Sequence, residues 1–193
     1  INNAPDPLNI ETYDGYHQTT HPDVLYFEDG LWGYKYWMAH TPYPFSNDYY
    51  ENPSISVSND GVRWEDFPGL KNPLDAPTEA ENQAGEHFSD TALVFRQDTG
   101  ILECWYRFKN KVSGYEELRR RTTSNGKDWT PVEVVFVGYG LSPSVIHEDG
   151  KYRMWTVNIT QRPFVIEYRE SNNPSDWSSP VEVPINYKEG EDN

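Results

Sequence analysis

The sequence predicts an all-β fold built from propeller blades, on three observations. A seven-residue motif occurs three times, as SNDGVRW (58–64), TSNGKDW (123–129) and SNNPSDW (171–177). Upstream of each copy stand two extended segments joined by a tight turn, and the second segment carries a tryptophan. No window holds a sustained apolar stripe of period 3.6, so helical layers are not expected.

Each element follows from local pattern. The motif reads as a turn between two strands: Asp or Asn bonds its own downstream backbone, Gly takes a positive φ, and the Trp anchors the turn on the sheet. In the third copy Pro174 replaces Gly, so that turn must differ. Four antiparallel strands per copy are predicted near 23–28, 34–40, 53–58 and 63–67, then 91–96, 101–109, 116–123 and 131–137, then 144–148, 151–158, 164–170 and 180–184. Trp37, Trp105 and Trp155 are expected to take one shared place in the second strands, and Trp64, Trp129 and Trp177 to close the later turns. Trp32 is left over.

Four-stranded sheets repeated along a chain read as blades that bury their faces only by stacking on neighbours. Residues 1–20 form an N-terminal segment, and the blades cover about 21–70, 88–138 and 141–185 of a region running to 193. Three blades do not close a ring comfortably, since propellers have roughly four to eight. The chain is therefore expected to be a fragment, with the remaining blades coming from further sequence or another chain. The opening INNAPDP, with no Met and no apolar leader, agrees with that expectation. A β-sandwich is the alternative fold, but it does not predict the recurring tryptophans.

Composition excludes several partners. A formal charge of −15 repels nucleic acid and anionic membranes. The densest basic run, Arg119 to Arg121, would alternate faces in a strand and pair with Glu116 and Glu117. No segment holds some eighteen uncharged apolar residues, so no membrane-inserted helix is expected. Cys104 is the only cysteine, which rules out an internal disulfide, and its place in LECWYRF reads as a small buried side chain.

The blade unit, with SNDGVRW as its outer turn, resembles the five-bladed propellers of glycoside hydrolase families 32 and 43. The string HPDVLYF…GYKYWMAHTPYP…ENPSISVSNDGVRW is similar in particular to hydrolase-like propellers of phage tail and host-recognition proteins. The resemblance implies a glycan or polysaccharide ligand and an extracellular or virion-associated setting. It places the acidic groups of the hydrolases at the start of each inner strand, at the mouth of the central channel. Here those positions offer His21, Pro22 and Asp23, then Asp90 and Thr91, then Leu141, Ser142 and Pro143. His21 stands where an Asp is expected, and the third blade offers no Glu.

Glycoside cleavage needs two carboxyl groups flanking one bond, one protonated and one ionised. Asp23 and Asp90 are the best pair, and Glu86 in GEHFSD is a third candidate. The same aspartates can instead bond backbone amides at the mouth. Two long loops, 41–52 and 69–88, also reach the mouth. Tyr43, Tyr49, Tyr50 and Trp32 suit stacking on sugar rings, though they can equally cover blade edges. His21, His87, Arg107 and Ser142 complete the expected binding set. No cofactor is implied; calcium is a possible ion near Glu86, His87 and Asp90, but the spacing matches no strong metal motif. His40 and His147 read as packing residues. Glycan recognition is the leading reading, with glycosidase action and a purely structural propeller as alternatives.

Overall fold

The computed structural model describes residues 7–111 and 113–185. The first six residues and the acidic tail from 186 lie outside it. Three four-stranded antiparallel sheets follow one another along the chain. The first contains β1 (Thr19–Leu31), β2 (Tyr34–Pro42), β3 (Ser54–Ser58) and β4 (Glu65–Asp66). A short helix, α1 (Glu79–Ala84), precedes the second, which contains β5 (His87–Arg96), β6 (Ile101–Asn110), β7 (Tyr115–Thr123) and β8 (Glu133–Gly138). The third contains β9 (Leu141–Glu148), β10 (Lys151–Asn158), β11 (Val165–Ser171) and β12 (Val181–Val183). Strand order within each sheet is sequential, and the inner strands β1, β5 and β9 lie side by side. This is the blade architecture predicted from the repeat.

The first two copies of the motif work through the same bonds, while Pro174 leaves the third without the amide that Gly61 and Gly126 supply. Ser58 and Thr123 accept the amides of Gly61 and Gly126 on their hydroxyls, at 2.9 and 3.0 Å. Asp60 Oδ1 takes the amides of Val62 and Arg63, and Asn125 Oδ1 those of Lys127 and Asp128. Each closing indole donates to the carbonyl three residues back: Trp64 to Gly61, Trp129 to Gly126 and Trp177 to Pro174. The turn thus satisfies its own backbone, as a surface loop must.

The sheets stack through alternating faces of their strands. Trp37, Ile55 and Val57 of the first blade pack on Leu93, Cys104 and Tyr106 of the second. The other face of the second blade, with Ala92, Val94 and Trp105, packs on Val145, Tyr152 and Met154 of the third. Cys104 is buried, as expected, and burial pushes its thiol pKa up. Ile10 of the N-terminal segment covers Met38 and Trp64 on the outer side of the first blade.

Three sequence expectations need correction. The second-strand tryptophans do not share one position. Trp105 pairs with Ala92 and Trp155 with Ser144, each two residues past a left-handed bulge at Asp90 or Ser142. In the first blade Asp23 pairs with Ala39, and Trp37 sits opposite Leu25, two residues out of phase but on the same face. The linker before β5 is not all loop, because Thr78 and Glu81 form a capping box and Gly85, at φ 75°, ends the helix. The arginine run is half-buried rather than solvated. Arg119 pairs with Glu117 at 2.9 Å, Arg120 bridges Glu103 and Glu133, and Arg121 bonds the carbonyls of Leu74, Trp129 and Thr130.

Gly126 shows how tightly blades meet. It has φ +78°, and a Cβ there would lie 2.6 Å from Trp37 and 2.9 Å from both Phe67 and Trp32. Gly126→Ala is expected to cost about 2–4 kcal/mol, from overpacking plus a backbone region unfavourable to Ala. Gly114→Ala, at a similar φ with nothing within 4 Å, should cost only about 1 kcal/mol. Urea unfolding of the two variants checks this; equal losses would show that the inter-blade contact does not set the cost.

Candidate functional site

The bulges that shift the tryptophan phase also build the mouth of the blades. His21, Asp90 and Ser142 have φ of 49°, 51° and 49° at equivalent points of β1, β5 and β9. Such backbone is uncommon for residues other than Gly, Asn and Asp, and holding it costs about 1–3 kcal/mol each. The strands thereby aim three side chains to one end, where the loops after β2 and before β5 also arrive.

A polar cluster results. His21 lies between two carboxylates, with Nδ1 3.1 Å from Glu51 Oε1 and Nε2 3.2 Å from Asp90 Oδ1. The hydroxyl of Thr41 is 3.2 Å from the same Nδ1. Asp90 Oδ2 accepts from Arg107 Nε at 2.6 Å and from the Ser142 amide at 3.2 Å. Arg107 also donates to Glu116 at 3.0 Å and to Ser89 at 2.5 Å. Thr91 Oγ1 donates to the His21 carbonyl at 2.9 Å, tying β5 to β1. Glu51 and Asp90 are buried, whereas the His21 side chain is 39% exposed.

The charges explain the histidine's state. Asp90 and Glu116 share the Arg107 guanidinium, and the bond to Glu51 raises the His21 pKa above its ordinary value, against the opposing effect of burial. The resulting stabilisation is fully present below pH 6.5 and is lost as pH rises through the raised folded pKa. His40, buried beneath the mouth, behaves oppositely. Its nitrogens lie 2.6 Å from Thr19 Oγ1 and 3.0 Å from Ser56 Oγ, and burial lowers its pKa to about 4. Between pH 6.5 and 4 the unfolded chain binds the proton that the folded chain refuses. Stability is therefore expected to fall on acidification through that window, by about 3 kcal/mol from this group. Denaturant titrations at pH 7 and pH 4.5 should show a smaller loss for His40→Gln than for the parent; equal losses would remove His40 as the cause.

The other sequence candidates are placed differently. Asp23 Oδ2 accepts the Leu93 amide at 2.7 Å, and burial raises its pKa. It therefore ties β1 to the middle of β5. Glu86 is buried ahead of β5. His87 Nδ1 lies 3.4 Å from Asp48 Oδ2, linking β5 to the long loop. Tyr43 and Tyr49 are exposed on that loop, and Tyr49 meets Tyr50 edge to face at 5.1 Å. Trp32 lies elsewhere: it packs on Trp37 at 5.3 Å and against Gly126, at the outer-turn end. Its leftover status in the repeat is explained by blade contact. Glu51, Glu116, Ser89 and Thr41 were not legible as site residues. Glu51 falls inside a loop recognised as reaching the mouth, yet nothing in the sequence separates it from Asp48. Among the described residues, no three His, Cys, Asp or Glu side chains are grouped so as to hold a metal ion.

No protein-family model matches the chain. The chain is 32% identical over 136 residues to the A type blood N-acetyl-alpha-D-galactosamine deacetylase of Flavonifractor plautii, a match covering 67% of this chain and 17% of that protein. The structure of an N-acetylgalactosamine deacetylase from F. plautii, in complex with blood group B trisaccharide, is similar with a TM-score of 0.77 and 24% identity, over 86% of this chain and 54% of that one. An alpha-L-arabinofuranosidase from Podospora anserina gives a TM-score of 0.60 at 14% identity, over 86% and 50%. A thermostable family-43 glycoside hydrolase gives 0.52 at 14% identity, over 86% and 54%. The chain thus spans about half of these solved relatives and under a fifth of the curated one. The likenesses show the fold: propeller blades of the glycoside hydrolase type.

Proposed function

We propose that the chain is part of a carbohydrate-acting propeller, and that its mouth removes the N-acetyl group of an amino sugar. The observation that carries the reading is the His21 ring, half-exposed between the carboxylates of Glu51 and Asp90. An imidazole so flanked can accept a proton from water and hand it on. In the proposed step, water oxygen bonds to the acetamide carbonyl carbon while His21 takes its proton. The C–N bond then breaks, the nitrogen leaves with a proton returned by His21, and acetate and free amine result. The 32% identity to a deacetylase of N-acetylgalactosamine supports this chemistry.

The same geometry disfavours glycosidic cleavage. The three equivalent bulge positions, where the hydrolases of the resemblance keep acidic groups, hold one Asp, one His and one Ser. Asp90 is fastened to Arg107, and Asp23 serves the Leu93 amide. Recognition without turnover is the second reading, favoured by how fully the mouth carboxylates bond within the protein. An extracellular or virion-associated setting, and completion of the ring by further blades, belong to the same proposal. Glycans are presented on cell surfaces, and a chain of three blades spans 54% of its solved relative.

The test is an assay on N-acetylated amino sugars, free and within oligosaccharides, reading both acetate and new reducing ends. Acetate without reducing ends supports the proposal. Reducing ends would install glycosidase action in its place, and saturable binding with neither product would leave recognition alone. Finding the chain in the cytosol of its source would overturn the proposed setting.

A further inference from the structure

The loop between β2 and β3 carries an aromatic cluster that the His21 site does not use. Phe45 is 72% exposed. It meets Tyr16 edge to face at 5.2 Å, and Tyr16 meets Tyr50 at 6.1 Å. The backbone there is strained: Phe45 and the following Ser46 have φ of 56° and 60°. Two consecutive left-handed residues, one of them a bulky aromatic, are a backbone outlier. The loop is nevertheless held firmly. Phe45 donates its amide to Gln18 Oε1 at 3.0 Å, and Tyr43 donates to the Gln18 carbonyl at 2.8 Å. Tyr13 donates to the Tyr50 carbonyl and accepts from Asn52, each at 2.7 Å. Glu51, at the end of this loop, bonds His21.

A rigid loop that presents rings to solvent, one residue run away from a sugar-type site, has the form of a stacking platform. We infer that Phe45, packed edge to face on Tyr16, is a subsite for a second sugar ring, so that the site takes an oligosaccharide rather than a lone amino sugar. The inference rests on the proposed carbohydrate function and adds length selectivity to it. The apolar face of a pyranose covers an aromatic ring, while its rim hydroxyls stay wet or bond loop atoms such as the Asp48 carboxylate. Glu51 of the same loop bonds His21, so the occupant proposed is the neighbouring ring of the same glycan.

The experiment compares N-acetylgalactosamine with an N-acetylgalactosamine-terminated trisaccharide on the parent, Phe45→Asn and Phe45→Trp. Asn tolerates left-handed backbone, so the loop is kept while the ring is removed. Phe45→Asn is expected to weaken trisaccharide affinity roughly fivefold, with monosaccharide affinity unchanged and Phe45→Trp restoring the difference. Its melting temperature should match the parent's, because so exposed a ring contributes little to stability. Equal affinities of the parent and Phe45→Asn for the trisaccharide overturn the subsite while leaving the carbohydrate function standing. A parallel loss on both sugars also overturns it, since the ring then supports the whole mouth. A parent that takes neither sugar defeats the functional reading itself.

Discussion

Arg107→Met is expected to lower stability by about 3–5 kcal/mol, because it strips a buried carboxylate of its cation. Asp90 and Arg107 are both nearly enclosed, and the guanidinium also satisfies Glu116 and Ser89. Methionine fills the space but leaves Asp90 and Glu116 without their shared cation, with the His21 imidazole the remaining partner of Asp90. The loss should shrink when Asp90→Asn is added, which removes one of the stranded charges. Lys151→Met, which breaks an exposed pair with Glu170 at 3.3 Å, should change stability by less than about 1 kcal/mol. Denaturant midpoints at pH 7 measure all three variants. If Arg107→Met and Lys151→Met behave alike, the mouth is held by packing and its ion pairs are incidental.

His21→Gln is expected to reduce turnover of an N-acetylated amino sugar by about 10²–10⁴-fold, the usual worth of a positioned proton-transfer group. The pH profile distinguishes that role from simple placement. A base must be neutral to take a proton from water, so the parent's rate should rise with pH through an apparent pKa above 6.5. Glu51 is the main cause of the raised value. Glu51→Gln should therefore move the acid limb to lower pH, towards the ordinary histidine value. His21→Gln should have no such limb at all. A His21→Gln enzyme that keeps the parent's rate and profile would assign the chemistry to another group.

Much of the fold was legible because the repeat writes its turns in residue types with a single backbone use. Asp60, Asn125 and Asn173 each accept from the amide two residues on, and the tryptophan four residues after each closes the loop. Strand phase was less legible. Trp37 and Trp105 look equivalent in the sequence, but phase is set by the bulges and by a register shift between Tyr26 and Leu31 in the β1–β2 hairpin, and a two-residue offset keeps a side chain on the same face. Helix α1 carried its own signals, Thr78 with Glu81 and then Gly85, yet six residues are too few for apolar periodicity to register. In the site, Asp90, His21 and Ser142 could be aligned from strand starts. Glu51 and Glu116 could not: Glu51 lies in the irregular β2–β3 loop, and Glu116 reaches Arg107 through the β6–β7 register.

Asp90 belongs to the second sheet, receives the imidazole of the first and accepts an amide of the third. One carboxylate thus acts as a keystone that touches all three leaves. A change that wedges two leaves apart at the distant outer end, as a methyl group on Gly126 would, turns them about the mouth and alters the spacing around that keystone. Remote packing defects in this molecule should consequently register in the reaction chemistry as well as in the melting curve, through geometry alone and with no loop needing to move.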